Sequence, residues 1–294
     1  MRYLLLFLTA GVALASIPSD YVSQILAWRK AREAGLKADD GWLTVAGLFW
    51  LSNGANTVGA DPASVITLPV GSAPSHAGVF EFHDGHTTFL PDAGSGALVN
   101  GKAVQSVELK SDTDEGGPDL VTCRGLTMFV IHRGNRYAIR LRDKNSKYRR
   151  EFTGLHWYPV KPEFRIVAKW IAYQKPKPIS IPNILGETED DLSPGYAVFA
   201  LHGQDVRLMA VVENDQLFFI FRDPTSKTTT YQSGRFLDTD LPKNGEVILD
   251  FNKAYNPPCA FTHYATCPLP PSQNRLPVAI EAGELRYGKG HPEH

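Results

Sequence analysis

The hydrophobic pattern of this 294-residue chain changes period along its length. Over residues 19–37 apolar side chains recur at helical spacing: Val22, Ile25, Leu26 and Trp28 form one stripe, and Arg29, Lys30, Arg32 and Glu33 lie on the other face. This predicts an amphipathic helix whose charged face is solvated. After the turn Asp39-Asp40-Gly41, residues 42–51 read as a buried extended segment. From Asn53 the period falls to two, with short runs at 65–68, 79–82, 87–90, 96–99, 104–109, 120–124, 126–132 and 136–141. Asp84-Gly85, Asn100-Gly101 and Arg133-Gly134-Asn135 stand between runs as hairpin turns. A second set at 164–173, 179–184, 195–201, 207–212, 216–222 and 247–251 continues the pattern, with Asn214-Asp215 turning one hairpin. In the run at 216–222, Phe218 and Ile220 alternate with Phe219 and Phe221, so both faces are apolar and the strand belongs inside a sheet.

Three stretches break the pattern. Residues 142–150, RDKNSKYRR, read as a solvated basic linker, with docking of an anionic ligand as the sharper alternative. Lys175-Pro176-Lys177-Pro178 reads as a loop or edge segment, because proline cannot donate to a ladder. Residues 250–286 hold two cysteines, a histidine and many prolines, and their backbone must be satisfied by side chains or by neighbouring segments.

The charge balance, 30 basic against 31 acidic residues, gives no bulk attraction to nucleic acid. Arg2, an apolar core at 4–14 and Ala13-Leu14-Ala15 predict a signal peptide over residues 1–15, and hence an exported, periplasmic or secreted protein. A bilayer span needs about 20 apolar residues, so stable membrane insertion is not expected after cleavage. Of three cysteines, Cys123 sits in a strand as a packed thiol. Cys259 and Cys267 allow a disulfide, a zinc site with His263 as a weak alternative, a thiol activated by His263, or two packed thiols. His83-Asp84-Gly85-His86 has the composition of a metal site, but a tight hairpin turns its side chains apart, which favours an exposed polar turn. The chain has no P-loop, no dinucleotide fingerprint, no nucleophile elbow and no zincin motif. No cofactor is implied.

Candidate chemistry concentrates after residue 220. Arg235 stands in an apolar setting and requires a partner, either Asp223 or Asp250 in a salt bridge or the acid group of a ligand. Asp250, Asn252, Asn256, Asn274, Glu281 and Glu284 either bond the irregular backbone or face that ligand, with the Glu281-Ala282-Gly283-Glu284 turn offering two carboxylates.

Two resemblances extend this reading. Asn56-Thr57-Val58-Gly59, Ile66-Thr67-Leu68-Pro69, His76-Ala77, Asp84-Gly85 and Leu98-Val99-Asn100-Gly101-Lys102 follow the landmark order of the forkhead-associated sandwich. Ala60-Asp61 after Gly59, and Ala73 three before His76, replace the arginine and serine with which that family reads phosphothreonine, so the resemblance implies the fold without that ligand. Gly41-Trp42-Leu43, Gly47-Leu48-Phe49-Trp50-Leu51, Gly234-Arg235-Phe236-Leu237, DFNKAYNPPCAF, CPLPP and NRLPV are similar to the family catalogued as domain of unknown function 1684, which implies no activity. The expected architecture is mainly β: a helix at 19–37, a forkhead-associated-like sandwich at 40–145, a barrel-like or rolled β domain at 150–288 and a tail at 289–294. The expected function is binding of a small polar or anionic ligand in the C-terminal domain, with hydrolysis left open. The alternative is a protein-interaction module built on the sandwich.

Overall fold

In the computed structural model, which describes residues 19–288, the chain is mainly β behind an N-terminal helix. The expected signal peptide (1–15) and tail (289–294) lie outside the described residues. Helix α1 (Ser19–Lys37) leads through a 3-10 turn at Trp42–Thr44 into β1 (Val45–Trp50). There follow β2 (Gly54–Gly59), β3 (Ile66–Thr67), β4 (Gly78–His83), β5 (His86–Pro91), β6 (Leu98–Val99) and β7 (Val107–Leu109), then β8 (Val121–Cys123), β9 (Leu126–Arg133) and β10 (Arg136–Asp143). They form two five-stranded sheets, ordered β1-β10-β9-β8-β6 and β3-β2-β4-β5-β7.

Period-two alternation decides the packing. Val58, Phe80 and Phe89 of one sheet meet Met128, Val130, Ile139 and Leu141 of the other in a common core, which also holds Cys123. Asp84-Gly85 and Asn100-Gly101 take positive φ at both residues, as tight hairpins require. His83 and His86 diverge from that first turn towards different acids, Glu81 and Glu108. The basic stretch ends in the short α2 (Lys147–Arg150), while Lys144 and Arg149 pair with Asp39 beside the helix exit.

The second half is a six-stranded curled half-barrel. Its strands β11 (Arg165–Pro182), β12 (Thr188–Leu201), β13 (Gln204–Glu213), β14 (Gln216–Phe221), β15 (Arg235–Thr239) and β16 (Glu246–Asp250) are ordered β15-β14-β13-β12-β11-β16. The Lys-Pro-Lys-Pro run does not end a strand as a loop would. β11 continues through it, and Pro176 falls in a break of register with β12 between Ala172 and Lys177, where a missing donor is tolerated. Both faces of β14 are buried. Phe219 and Phe221 enter the concave core, whereas Phe218 and Ile220 face the opposite side with Ile181, Phe236 and Phe261.

Residues 250–286 cover both of these faces. Leu276, Val278, Ile280 and Ala282 fill the half-barrel, while Cys259, Phe261 and Cys267 pack on its back. Gly283, at φ 81°, permits the final approach: a Cβ there would lie 2.5 Å from the Ala254 carbonyl oxygen. Cys259 and Cys267 form a disulfide with Cα atoms 6.2 Å apart. With both thiols in that bond, neither ligates zinc nor attacks a substrate.

The helix corrects one expectation. Leu26 is 54% exposed, whereas Arg29 is only 8% exposed. The inward stripe runs through Ile25, Trp28, Arg29, Arg32 and Leu36 because α1 packs on the polar C-terminal segment, whose carbonyls need donors. Arg29 and Arg32 lie 4.7 Å and 4.4 Å over the rings of Trp157 and Tyr255. They also donate to the carbonyls of Asn252 and Asn256.

The disulfide closes a short loop, for which chain entropy gives roughly 2.5–3 kcal/mol. Replacing both Cys259 and Cys267 with serine is expected to lower the free energy of unfolding, extrapolated from a urea titration, by that amount. Reduction of the parent chain should reproduce the shift.

Candidate functional site

The candidate residues divide between internal scaffolding and surface. Arg235 is 1% exposed. Its Nη2 lies 3.2 Å from Asp223 Oδ1 and 2.9 Å from the Ile280 carbonyl, and Nη1 bonds the Ala282 carbonyl. Asp223 in turn accepts from Thr225 Oγ1 at 2.8 Å and from the Ile280 amide at 2.7 Å. Of the two alternatives, the geometry is that of the salt bridge with Asp223. The pair fastens the 276–282 strip into the half-barrel.

Asn274 does similar work, accepting from the Met209 amide and donating to the carbonyls of Met209 and Ile220, which ties β13 to β14. Asp250 accepts from the Tyr21 phenol at 2.8 Å, while Asn252 accepts from the Lys161 amide and donates to its carbonyl. Asn256 donates to the Leu285 carbonyl. Glu281 is exposed, 3.7 Å from Lys161 Nζ. Glu284 is fully buried, with Arg32 Nε 3.7 Å away and no hydrogen bond to either carboxylate oxygen. Burial pushes its carboxyl up to about 7, against the opposing pull of Arg32 and Asn256. None of these seven residues lines the two cavities described below.

The larger cavity, of about 680 Å³, opens on the back of the half-barrel. Strand register builds its floor. The pairs Val211↔Phe218, Glu213↔Gln216, Phe218↔Asp238 and Ile220↔Phe236 place Val211, Phe218, Ile220 and Phe236 on one face, with Glu213 and Asp238 beside them. Trp42 and Arg133 wall the cleft from the side of the first half, and Tyr255, Pro258, Thr266 and Cys267 from the C-terminal segment. The Tyr255 phenol donates to Asp238 Oδ2 at 2.7 Å.

Five acids line this cleft, Glu189, Asp190, Asp191, Glu213 and Asp238, against two arginines, Arg32 and Arg133. Asp112 already neutralises Arg133 at 2.7 Å. Partial desolvation raises the Glu213 carboxyl, helped by Asp238 and Asp191. It also raises Asp238, opposed by the Tyr255 hydrogen bond and by Arg32. Both side chains remain open to water through the mouth. The Tyr255 phenol is raised well above the usual range by burial and by Asp238.

No motif marks Glu213, Asp238 or Tyr255 in the sequence. The available signal was the second apolar face of β14, which had to be covered and brought its acidic neighbours under the same cover. The model of the family described as protein of unknown function (DUF1684) matches residues 150–285. Among solved structures, an uncharacterized protein of Haloarcula marismortui determined by NMR in solution is similar at 33% identity and a TM-score of 0.39, over 47% of this chain and 78% of that one. No curated protein matches the chain.

Two outcomes follow for the buried charges. Because the folded pKa of Glu284 is raised from 4.5 to about 7, its contribution to stability is full below about pH 4.5 and lost as pH rises through 7. Glu284→Gln should therefore exceed the parent in stability above pH 7, by roughly 3 kcal/mol at most, when urea unfolding is followed at pH 5 and pH 8. Arg235→Ala strands a buried carboxylate and is expected to cost about 3–5 kcal/mol. The pair Arg235→Met with Asp223→Asn should recover most of that loss in the same assay.

Proposed function

This chain belongs to the DUF1684 family through residues 150–285, and we propose that it binds a small organic molecule, cationic at one end and apolar along its body, in the cleft over β13, β14 and β15. The observation that carries this reading is the apolar floor of Val211, Phe218, Ile220 and Phe236 ending at Glu213 and Asp238. A volume of about 680 Å³ suits a small molecule. Five acids against two arginines attract an ammonium group and repel an anion. That excess shifts the preferred charge of the ligand from the anionic form, which Arg235 suggested, to the cationic one. Phe218 and Phe236 add aromatic edges and faces to the site.

The reading extends to the rest of the chain. The forkhead-associated likeness of residues 40–145 rests on its loop landmarks and supports a scaffold role, with Trp42 and Arg133 presented to the cleft. The leader-like pattern of Arg2 and the apolar run 4–14 supports an exported location, and the Cys259–Cys267 disulfide suits an oxidising compartment. Proton transfer through Asp238 and Glu213 is the chemistry such a site supplies if its occupant reacts.

Phenethylamine and its anionic counterpart phenylacetate test the proposal by titration calorimetry on the full chain. The amine is expected to bind and the acid not to. Asp238→Asn and Glu213→Gln should each weaken the amine about tenfold, roughly 1.4 kcal/mol. No amine binding, or equal binding of the two probes, would exclude the cleft as a cation site.

A further inference from the structure

A second cavity, of about 440 Å³, lies on the outer face of the first sheet and has the opposite chemistry. The sequence of β10 alternates so that Ile139 and Leu141 enter the sandwich core, and Arg140 and Arg142 must therefore point away from it. Register adds a third arginine from β9: Arg136 pairs with Arg133, and Arg140 pairs with Phe129. Arg133, Arg140 and Arg142 line the cavity, and Asp112 is the one acid among its lining residues.

That acid is already engaged. Asp112 takes a two-bonded grip from Arg133, with Nη1 at 3.0 Å and Nη2 at 2.7 Å. Arg140 is only 4% exposed, yet among the described residues its hydrogen bonding is a single long contact of 3.4 Å from Nη2 to Thr266 Oγ1, and its Nε has no partner among them. Beyond that it lies 5.1 Å over the Trp42 ring. Arg142 likewise has an Nε without a partner among the described residues, lies 4.9 Å over the Phe129 ring and feels the opposing charge of Asp40 without a salt bridge to it among those residues. Arg136, on the same face and with its own Nε likewise unbonded, differs in having a counter-charge: Glu187 holds it at 2.6 Å.

A buried guanidinium without a counter-charge is unstable relative to one that is paired. We propose that this cavity is an oxyanion site, in which Arg140 and Arg142 bind a phosphate or carboxylate group and Trp42 and Phe129 flank it. Guanidinium donors fit the planar pairs of oxygens that both groups present. The Thr266 hydroxyl, which accepts from Arg133 at 3.1 Å and from Arg140, lines the neighbouring cleft and adds no charge to the arginines. The electrostatics agree: Arg140 is lowered to about 10, first by burial and then by Arg133, with Asp112 opposing the shift without cancelling it. This site stands independently of the acidic cleft, although Trp42 and Arg133 border both.

Inorganic phosphate and succinate, titrated into the full chain at constant ionic strength with chloride as the balancing anion, test the proposal and tell the two oxyanions apart. At least one should bind and raise the melting temperature above that in chloride alone. Arg140→Met should weaken that binding at least tenfold, and Arg140→Lys, which keeps the charge and loses the fork, several-fold. Arg136→Met should leave it within twofold. In the absence of anion, Arg140→Met should melt at or above the parent temperature, a result a purely structural arginine would not give. Failure of both probes to bind the parent chain overturns the site. Undiminished binding in Arg140→Met overturns it equally. Should Arg140→Met fail to fold, a folded Arg142→Met that keeps full anion affinity overturns it as well.

Discussion

A curled sheet whose central strand is apolar on both faces has to be covered twice, and one irregular segment does so here. Phe219 and Phe221 require a filler inside the half-barrel and Phe218 and Ile220 a cover outside it. Residues 250–286 provide Leu276, Val278 and Ile280 for the first and Cys259, Phe261 and Cys267 for the second. A segment with so many prolines cannot satisfy its own backbone, so its amides and carbonyls are met from outside. Arg235 with Asp223 and the helix arginines are among the groups that meet them, while Asn252 and Asn274 of the segment bond in turn to the backbone of Lys161 and Ile220. The burial of these polar side chains is thus a consequence of the double cover.

The same cover shapes the cavities. Because it crosses the back of the half-barrel without filling it, an apolar floor remains open between β13, β14, β15 and the wall presented by the first half. The acids fall on one side of Trp42 and Arg133 and the arginines of β10 on the other, which gives two neighbouring spaces of opposite charge. This separation of charge distinguishes these spaces from the closed polar networks around Arg235.

Burial of the helix arginines follows from the partner the helix meets. A helix on a hydrophobic sheet would bury Leu26. This one lies on turns rich in carbonyls and on the rings of Trp157 and Tyr255, for which guanidinium is the better complement. Glu284 is drawn beneath Arg32 by the same packing, and its carboxyl is held without full compensation.

What the sequence determined by itself was local: the helix span, most strand positions, the hairpin turns that demand positive φ, and the burial of both faces of β14, because each depends on spacing within a few residues. It also marked 250–286 as a segment held by others, and Cys259 with Cys267 among the ways of holding it. It left Arg235, Asn252, Asn256 and Asn274 balanced between scaffold and ligand, since a polar side chain in a broken segment has the same local signature in either role. Tertiary structure decided that balance by supplying backbone partners distant in sequence. Only strand register could bring Glu213, Asp238 and Tyr255 to one cleft and Arg133, Arg140 and Arg142 to another, because register is set by pairing across the sheet and leaves no motif along the chain.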